Sequence, residues 1–315
     1  MPQAKAITLT PTALDRNGIT TAETLVAARL TLLLNGALAT GYDRNGIAAS
    51  QTPTSAAAMT LNGAVGKDLT LRGGSYVLIY AAADDTARTF TVNGRDSTGG
   101  FITEDITGPG LGLIEVGATK FWQVDSVTPD AATAGAIEVG VNGYIEFSQP
   151  QHVTIWNAGD DTGDTFTVTG TDRYDNAMTE DITGANASTA AGTKNFKRVD
   201  IISSSGASTG DVEAGCDGTC ESGWHVINYR GPDFNVAIGC ELSATATYSI
   251  QHTFTNVQTV SFREDDATVY THSTISGETT NQDGNYTNPP VAVRLAVTAH
   301  TSGTVSFTIV HAGRS

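Results

Sequence analysis

The feature that most constrains this chain is an internal duplication. Tyr76-Val77-Leu78-Ile79-Tyr80 corresponds to His152-Val153-Thr154-Ile155-Trp156, and Asp84-Asp85-Thr86 to Asp160-Asp161-Thr162. Thr89-Phe90-Thr91-Val92 recurs as Thr165-Phe166-Thr167-Val168, and Glu104-Asp105-Ile106-Thr107-Gly108 as Glu180-Asp181-Ile182-Thr183-Gly184. The offset is 76 residues and falls to 75 by Val124-Asp125 and Val199-Asp200, so one unit occurs twice in series. Within the second copy, residues 165–170 alternate and place Phe166 and Val168 on one face. Asp160-Asp161-Thr162-Gly163 and Asp175-Asn176 read as turns between strands. Such alternation predicts sheets with one buried and one polar face.

Two further patterns complete the layout. Residues 245–252, 291–297 and 304–310 alternate, with turns expected at Gly277, Asp283-Gly284-Asn285 and Ser302-Gly303. Near the start, Asp15-Arg16-Asn17-Gly18-Ile19 recurs 28 residues later as Asp43-Arg44-Asn45-Gly46-Ile47, and Leu34-Asn35-Gly36-Ala37 recurs 27 later as Leu61-Asn62-Gly63-Ala64. The Asn-Gly pairs are placed to supply positive-φ turns. A unit this short cannot bury a core alone and must pack on a partner or on the larger domains. A short helix over residues 26–34 is the alternative reading of one stretch. The expected fold class is all-β: tandem antiparallel β-sandwich or β-roll domains at 66–142, 143–222 and 223–315, preceded by an extended N-terminal arm at 1–65. Residues 311–315 are expected to fray.

Charge separates these regions. The formal net charge is −16. Counted from the sequence, residues 1–66 carry +1, 67–223 carry −14 and 224–315 carry −3. The acidic middle repels phosphate backbones, so no nucleic-acid partner is expected. A nearly neutral N-terminal segment approaches another protein at lower electrostatic cost. Residues 1–65 are therefore the expected docking arm, with Asp15, Arg16, Asn17, Gly18, Ile19, Asp43, Arg44, Asn45, Gly46 and Ile47 as its contact residues. No apolar run spans a membrane, and no apolar signal core follows Met1-Pro2-Gln3-Ala4-Lys5. The expectation is synthesis in the host cytoplasm and release by a route other than secretion, such as lysis.

Candidate chemistry is sparse. Cys216, Cys220, His225 and Cys240 could form a zinc site. Cys216 and Cys220 could instead form a disulfide, or all three cysteines could be buried free thiols. Asp84-Asp85, Asp160-Asp161 with Asp164, and Asp172 with Asp175-Asn176 could ligate calcium, against the plainer reading of turn residues that cap backbone amides. Glu104-Asp105 and Glu180-Asp181 fall on opposite faces of a strand and cannot share a site. The six histidines are scattered singly. Trp122 and Phe196 read as near-equivalent core anchors, and Trp224 as a residue of the domain junction. Exposed aromatics form no evident cluster for a carbohydrate. Neither an enzyme motif nor a cofactor motif emerges.

The segments TALDRNGITTAET…LNGAL, VTIWNAGDDTGDTFTVTGTDRYDNAMTEDITGANAST…FKRVDII and YTNPPVAVRLAVTAHTSGTVSFTIVHAG resemble structural proteins of tailed-bacteriophage virions, chiefly capsid decoration (cement) and head accessory proteins. The resemblance spans most of the chain and rests on turn and strand patterns. It implies β-sandwich folds, homo-oligomers with trimers favoured, and the major capsid protein as partner on the outer capsid surface. It brings no catalytic residues. Many cement proteins are single small domains, and the extra modules here leave room for a tail, baseplate or fibre component that presents a host-binding C-terminal domain.

Overall fold

The structure, a computed structural model, describes residues 3–9, 11, 15–25, 32, 34, 39–227 and 236–311. Among these the chain is all-β, with only two single-turn 3₁₀ helices at Thr70–Arg72 and Glu264–Asp266. The N-terminal segment forms β1 (Gln3–Leu9), β2 (Asp15–Thr24), β3 (Ala39–Thr40) and β4 (Asp43–Gln51). Six strands come next: β5 (Ser75–Ala81), β6 (Thr89–Arg95), β7 (Phe101–Thr107), β8 (Ile114–Phe121), β9 (Gln123–Pro129) and β10 (Ile137–Val141). The duplication repeats them in order as β11 (Tyr144–Asn157), β12 (Thr165–Thr171), β13 (Ala177–Thr183), β14 (Thr189–Ala191), β15 (Phe196–Ser204) and β16 (Asp211–Glu221). The last group is β17 (His225–Val226), β18 (Val236–Leu242), β19 (Ala246–Thr253), β20 (Val269–Thr271), β21 (Gln282–Tyr286), β22 (Ala292–His300) and β23 (Val305–His311).

These strands enclose three cores, each between two layers. Among the described residues, both layers of module 2 and one layer of module 3 belong to a single 12-stranded sheet that is continuous through the β15–β11 and β16–β22 pairings. Module 1 packs the sheet β4-β10-β5-β8 against β7-β6-β9 over Ile79, Phe90, Phe121 and Val139. Module 2 repeats the arrangement with β2, β16, β11 and β14 against β13, β12 and β15, over Ile155, Phe166, Phe196 and Ala214. In module 3 the sheet β1-β23-β18-β21 faces β22, β19 and β20 over Tyr248, Leu295 and Phe307. The register is duplicated as well as the sequence. Tyr80 lies opposite Glu138 as Trp156 lies opposite Glu213. Val92 pairs with Val127 as Val168 pairs with Ile202.

The chain path is nested. Strand β1 pairs with β23 in module 3, β2 with β16 in module 2, and β4 with β10 in module 1. The described part of the N-terminal segment thus runs past the modules in reverse order before the chain builds them in forward order. The expectation of an arm extended onto another protein is revised for these residues. Ile19, Leu25, Leu32 and Leu34 lie in the module 2 core, Ile47 and Met59 in that of module 1, and Leu9 in that of module 3. A unit too small for its own core has joined the larger ones, because apolar side chains and unpaired edge amides are both satisfied there. The helix considered for 26–34 falls almost wholly outside the described residues, as does the tail beyond His311.

Three local expectations change. Asn17-Gly18 and Asn45-Gly46 lie inside β2 and β4, not in turns. Each copy forms a wide bulge there: Asp15 to Thr20 spans Cys216 to Ala214, and Asp43 to Ala48 spans Val141 to Val139. Asp283-Gly284-Asn285 is the middle of β21, paired with β18. Trp122 is only partly buried; the buried equivalent of Phe196 is Phe121, since a slip of one residue changes the face. Asp175, Gly277 and Gly303 do take the left-handed backbone expected of turns.

The bulged strands press closely on two equivalent glycines. A Cβ on Gly140 would stand 2.0 Å from the Asp43 carbonyl oxygen, and one on Gly215 would stand 1.7 Å from that of Asp15. Gly140→Ala and Gly215→Ala are each expected to lower unfolding free energy by about 1–3 kcal/mol, read from urea midpoints. Gly239→Ala, whose Cβ would meet no neighbour within 4 Å, is the control for strand glycines. Midpoints no lower than the control would exclude the close approach.

Candidate functional site

The residues singled out as a docking arm form a seam between the N-terminal strands and the modules they complete. In module 1 the Arg44 guanidinium lies 4.1 Å from the centre of the Tyr80 ring. Its Nε donates to Glu138 Oε2 at 2.6 Å. In module 2 Arg16 lies 4.0 Å from the centre of the Trp156 ring and donates through Nη2 to Glu213 Oε1 at 3.1 Å. One device therefore serves twice: an arginine from the incoming strand covers an aromatic ring and neutralises a buried glutamate on the neighbouring strand. Asp43 accepts from the Asn45 amide, and Ile19 and Ile47 are wholly buried. Asn45 is exposed, while Gly46 is covered by Val65. Tyr80, Glu138, Trp156 and Glu213 were missed as partners from sequence, although all four recur at the duplication offset.

Module 1 adds a second layer to its seam. Gln51 and Thr60 exchange two hydrogen bonds, and the Ala49 amide donates to Asn62 Oδ1 at 3.0 Å. In module 3, β1 pairs with β23 along its whole length and Thr8 meets Ser306 at 2.8 Å. Lys5 Nζ donates to His225 Nδ1 at 3.0 Å. Burial, with Lys5 and Arg173 nearby, lowers the His225 pKa to about 4, so the ring is neutral at physiological pH.

Charged side chains also tie the modules together. Lys120 meets Asp200 at 3.0 Å, and Arg198 donates to the Arg72 carbonyl across the junction of modules 1 and 2. Between modules 2 and 3, Glu264 receives both Arg173 at 3.0 Å and Arg294 at 2.9 Å, and Arg294 also pairs with Glu221. Tyr174 packs edge-on against Phe262, and Trp224 shares a small core with Phe262 and Ala292.

The four residues considered for zinc are not brought together. Cys216 lies in the module 2 core, whereas Cys220 and Cys240 lie in that of module 3. All three cysteines are free thiols. Burial pushes Cys216 up to about 11 and Cys220 and Cys240 to about 12, which disfavours the thiolates that a metal or a disulfide exchange requires. Among the described residues no three His, Cys, Asp or Glu side chains converge as a metal site.

The aspartate clusters cap backbone. Asp84 and Asp160 each accept from the amide and hydroxyl of the threonine two residues on. Asp85 accepts from the Ala134 amide, and Asp161 from the Thr209 amide. Asp172 holds the Tyr174 and Asn176 amides. Glu104 clamps the amides of Ala118 and Thr119, as Glu180 clamps those of Thr193 and Lys194. Asp105 and Asp181 face the other way and accept from Thr91 and Thr167. These acids stabilise a duplicated scaffold through hydrogen bonds to charged acceptors.

In comparisons with known proteins, the chain matches no protein-family model and no curated sequence.

Two measurements test this arrangement. Arg44→Ala is expected to destabilise the protein by about 1–2 kcal/mol, discounted because the arginine is half exposed. The loss should shrink in a Glu138→Gln background, where no buried charge is left unpaired, as a double-mutant cycle by urea unfolding will read. Additive losses would show that the pair is uncoupled. The thiols should resist Ellman's reagent at pH 8 while the protein is folded and react once it is unfolded; rapid labelling of the native protein would contradict their burial.

Proposed function

We propose that this chain is a structural protein of a tailed-bacteriophage particle that decorates the capsid and holds neighbouring capsid subunits together. The observation that carries the reading is the nested seam. One polypeptide supplies a closing strand to each of its three modules, so separating any module from the N-terminal segment means opening a strand ladder. Such a build suits a part that transmits force. Polar side chains that might have formed a reactive site serve instead as caps, clamps and ion pairs. The resemblance of the sequence to virion proteins points the same way.

The intrachain use of β1, β2 and β4 moves the proposed docking surface away from those strands. Module 1 exposes Phe101 at 79% and Leu111 at 71%, where module 2 carries Ala177 and Ala187. Sequence duplication with large apolar side chains at these positions in one copy and alanines in the other favours module 1 as the end that meets the major capsid protein. Assembly as a homo-oligomer, with a trimer favoured, would multiply such small contacts through effective concentration. The acidic second module would then face solvent and keep particles apart.

Cryo-electron microscopy of purified particles tests the proposal. Expected is density for this chain over the outer shell, in hundreds of copies, with module 1 against the capsid lattice. A few copies confined to the tail, or absence from the particle, would overturn it.

A further inference from the structure

We infer that module 3 carries a binding site for a neutral saccharide, built on the exposed aromatic pair Phe254 and Tyr270. The site is independent of where in a particle the chain resides. Strands β19 and β20 set His252 directly opposite Tyr270, and Phe254 follows the end of β19. The His252 ring stacks on Tyr270 with centroids 5.6 Å apart and planes 22° apart. Phe254 meets both rings edge-on, at 5.8 Å from His252 and 5.7 Å from Tyr270.

These rings rest on a buried base. The Tyr286 hydroxyl lies 3.0 Å from His252 Nδ1, and its ring packs edge-on against His272 at 4.8 Å. His272 is buried and its Nε2 meets the Asn285 carbonyl at 3.2 Å. The base fixes the orientation of His252, and His252 fixes that of Tyr270. Above it, Phe254 is 58% and Tyr270 48% exposed. Large aromatic side chains left in water while locked in place form a preformed stacking platform, with little ordering cost on binding.

The surroundings define the ligand. Residues 253–261 and 267–277 carry no Asp, Glu, Lys or Arg, in a chain whose net charge is −16. The exposed side chains of Asn256, whose Oδ1 also accepts from the Gln258 amide, and Thr268, two residues before Tyr270, offer amide and hydroxyl groups instead, while Thr271 lies on the opposite face of β20. The charges of the adjoining 3₁₀ turn are engaged elsewhere: Glu264 with Arg173 and Arg294, and Asp265 with Lys194. Asp266 accepts from the Arg263 amide. Arg294 is buried in that network. Of the cations of this turn and its network only the exposed Arg263 side chain is not held in an ion pair, so an anion would find a single exposed arginine and no cluster of cations, which is why an ionic probe is included in the test.

Area decides between a saccharide and a protein. Two aromatic side chains about half exposed present roughly 200 Å². A stable protein interface needs about 800 Å² from each partner. The platform suits one or two sugar rings, whose C–H faces stack on the aromatics while their hydroxyls meet the Asn256 amide and the Thr268 hydroxyl. The sequence carried a trace of this arrangement in His252-Thr253-Phe254 and Tyr270-Thr271-His272, two mirrored alternations whose proximity only the strand pairing creates.

The test uses the full chain, because module 3 includes β1. Oligomers of glucose, mannose, galactose and N-acetylglucosamine are titrated by calorimetry, with dextran sulfate as the ionic probe. Expected is binding of at least one neutral class, weakened about tenfold or more by Phe254→Ala and Tyr270→Ala, the scale of losing one stacking contact. Tyr270→Phe should retain affinity within about threefold, since it keeps the ring. Thermal midpoints of the exposed variants serve as the folding control. The inference is overturned if no neutral oligomer binds, if binding survives both alanine substitutions, or if dextran sulfate alone binds and is released by salt. It is also overturned if the alanine variants lose self-association in sedimentation, which would assign the rings to a contact between copies.

Discussion

The structure depends on how a sheet edge is closed. A small sandwich that lacks one strand leaves a row of unsatisfied amides and carbonyls and one open side of its core. Here that strand comes from the first fifty residues, far away in sequence. In modules 1 and 2 the join is secured in the same way. An isoleucine enters the core, an arginine covers an aromatic ring, and the same arginine meets a buried glutamate. A glycine on the receiving strand lets the bulged backbone come close.

Nesting has a consequence for how the molecule holds together. Module 1 has all its strands once residue 141 is made, module 2 at 221 and module 3 at 311. Until each point the corresponding N-terminal strand lacks its ladder, and the open edge is a site for wrong pairing. The finished fold pairs each of these strands along one side and seats its apolar side chains in a core, with β1 and β4 as the outer strands of their sheets. It also makes the modules unequal to their sequence boundaries. Each core includes residues from before position 66, so a stretch that begins at residue 66, 143 or 223 lacks part of the core of its module.

Duplication also shows what differs between copies. The acid clamps and caps recur almost atom for atom: Glu104 with Glu180, Asp105 with Asp181, Asp84 with Asp160. Those groups maintain the scaffold. Surface positions have diverged, with Phe101 and Leu111 in one copy and Ala177 and Ala187 in the other. The facing loop of module 3 meets module 2 through Arg173, Tyr174 and Lys194, where module 1 has Ser97, Thr98 and Thr119. The two copies share one scaffold and differ at its surface.

Strand period, turn chemistry and repetition are local properties, so their consequences were legible in the sequence alone. They dictate an all-β chain, a unit repeated at 76 residues, the faces of Phe166 and Val168, and the separation of each Glu-Asp pair. The Asx turns could be read as well, because an aspartate two residues before a threonine caps locally whatever the fold. Partnership, by contrast, belongs to the folded molecule. Alternation says which side chains face inward and nothing about which distant edge a strand will join. The pairing of β2 with β16, the entry of Asn45-Gly46 into a strand, and the separation of three cysteines between two cores all result from that choice of edge. So does the meeting of Phe254 with Tyr270, since edge amides and apolar faces are satisfied by whatever the packed chain brings near.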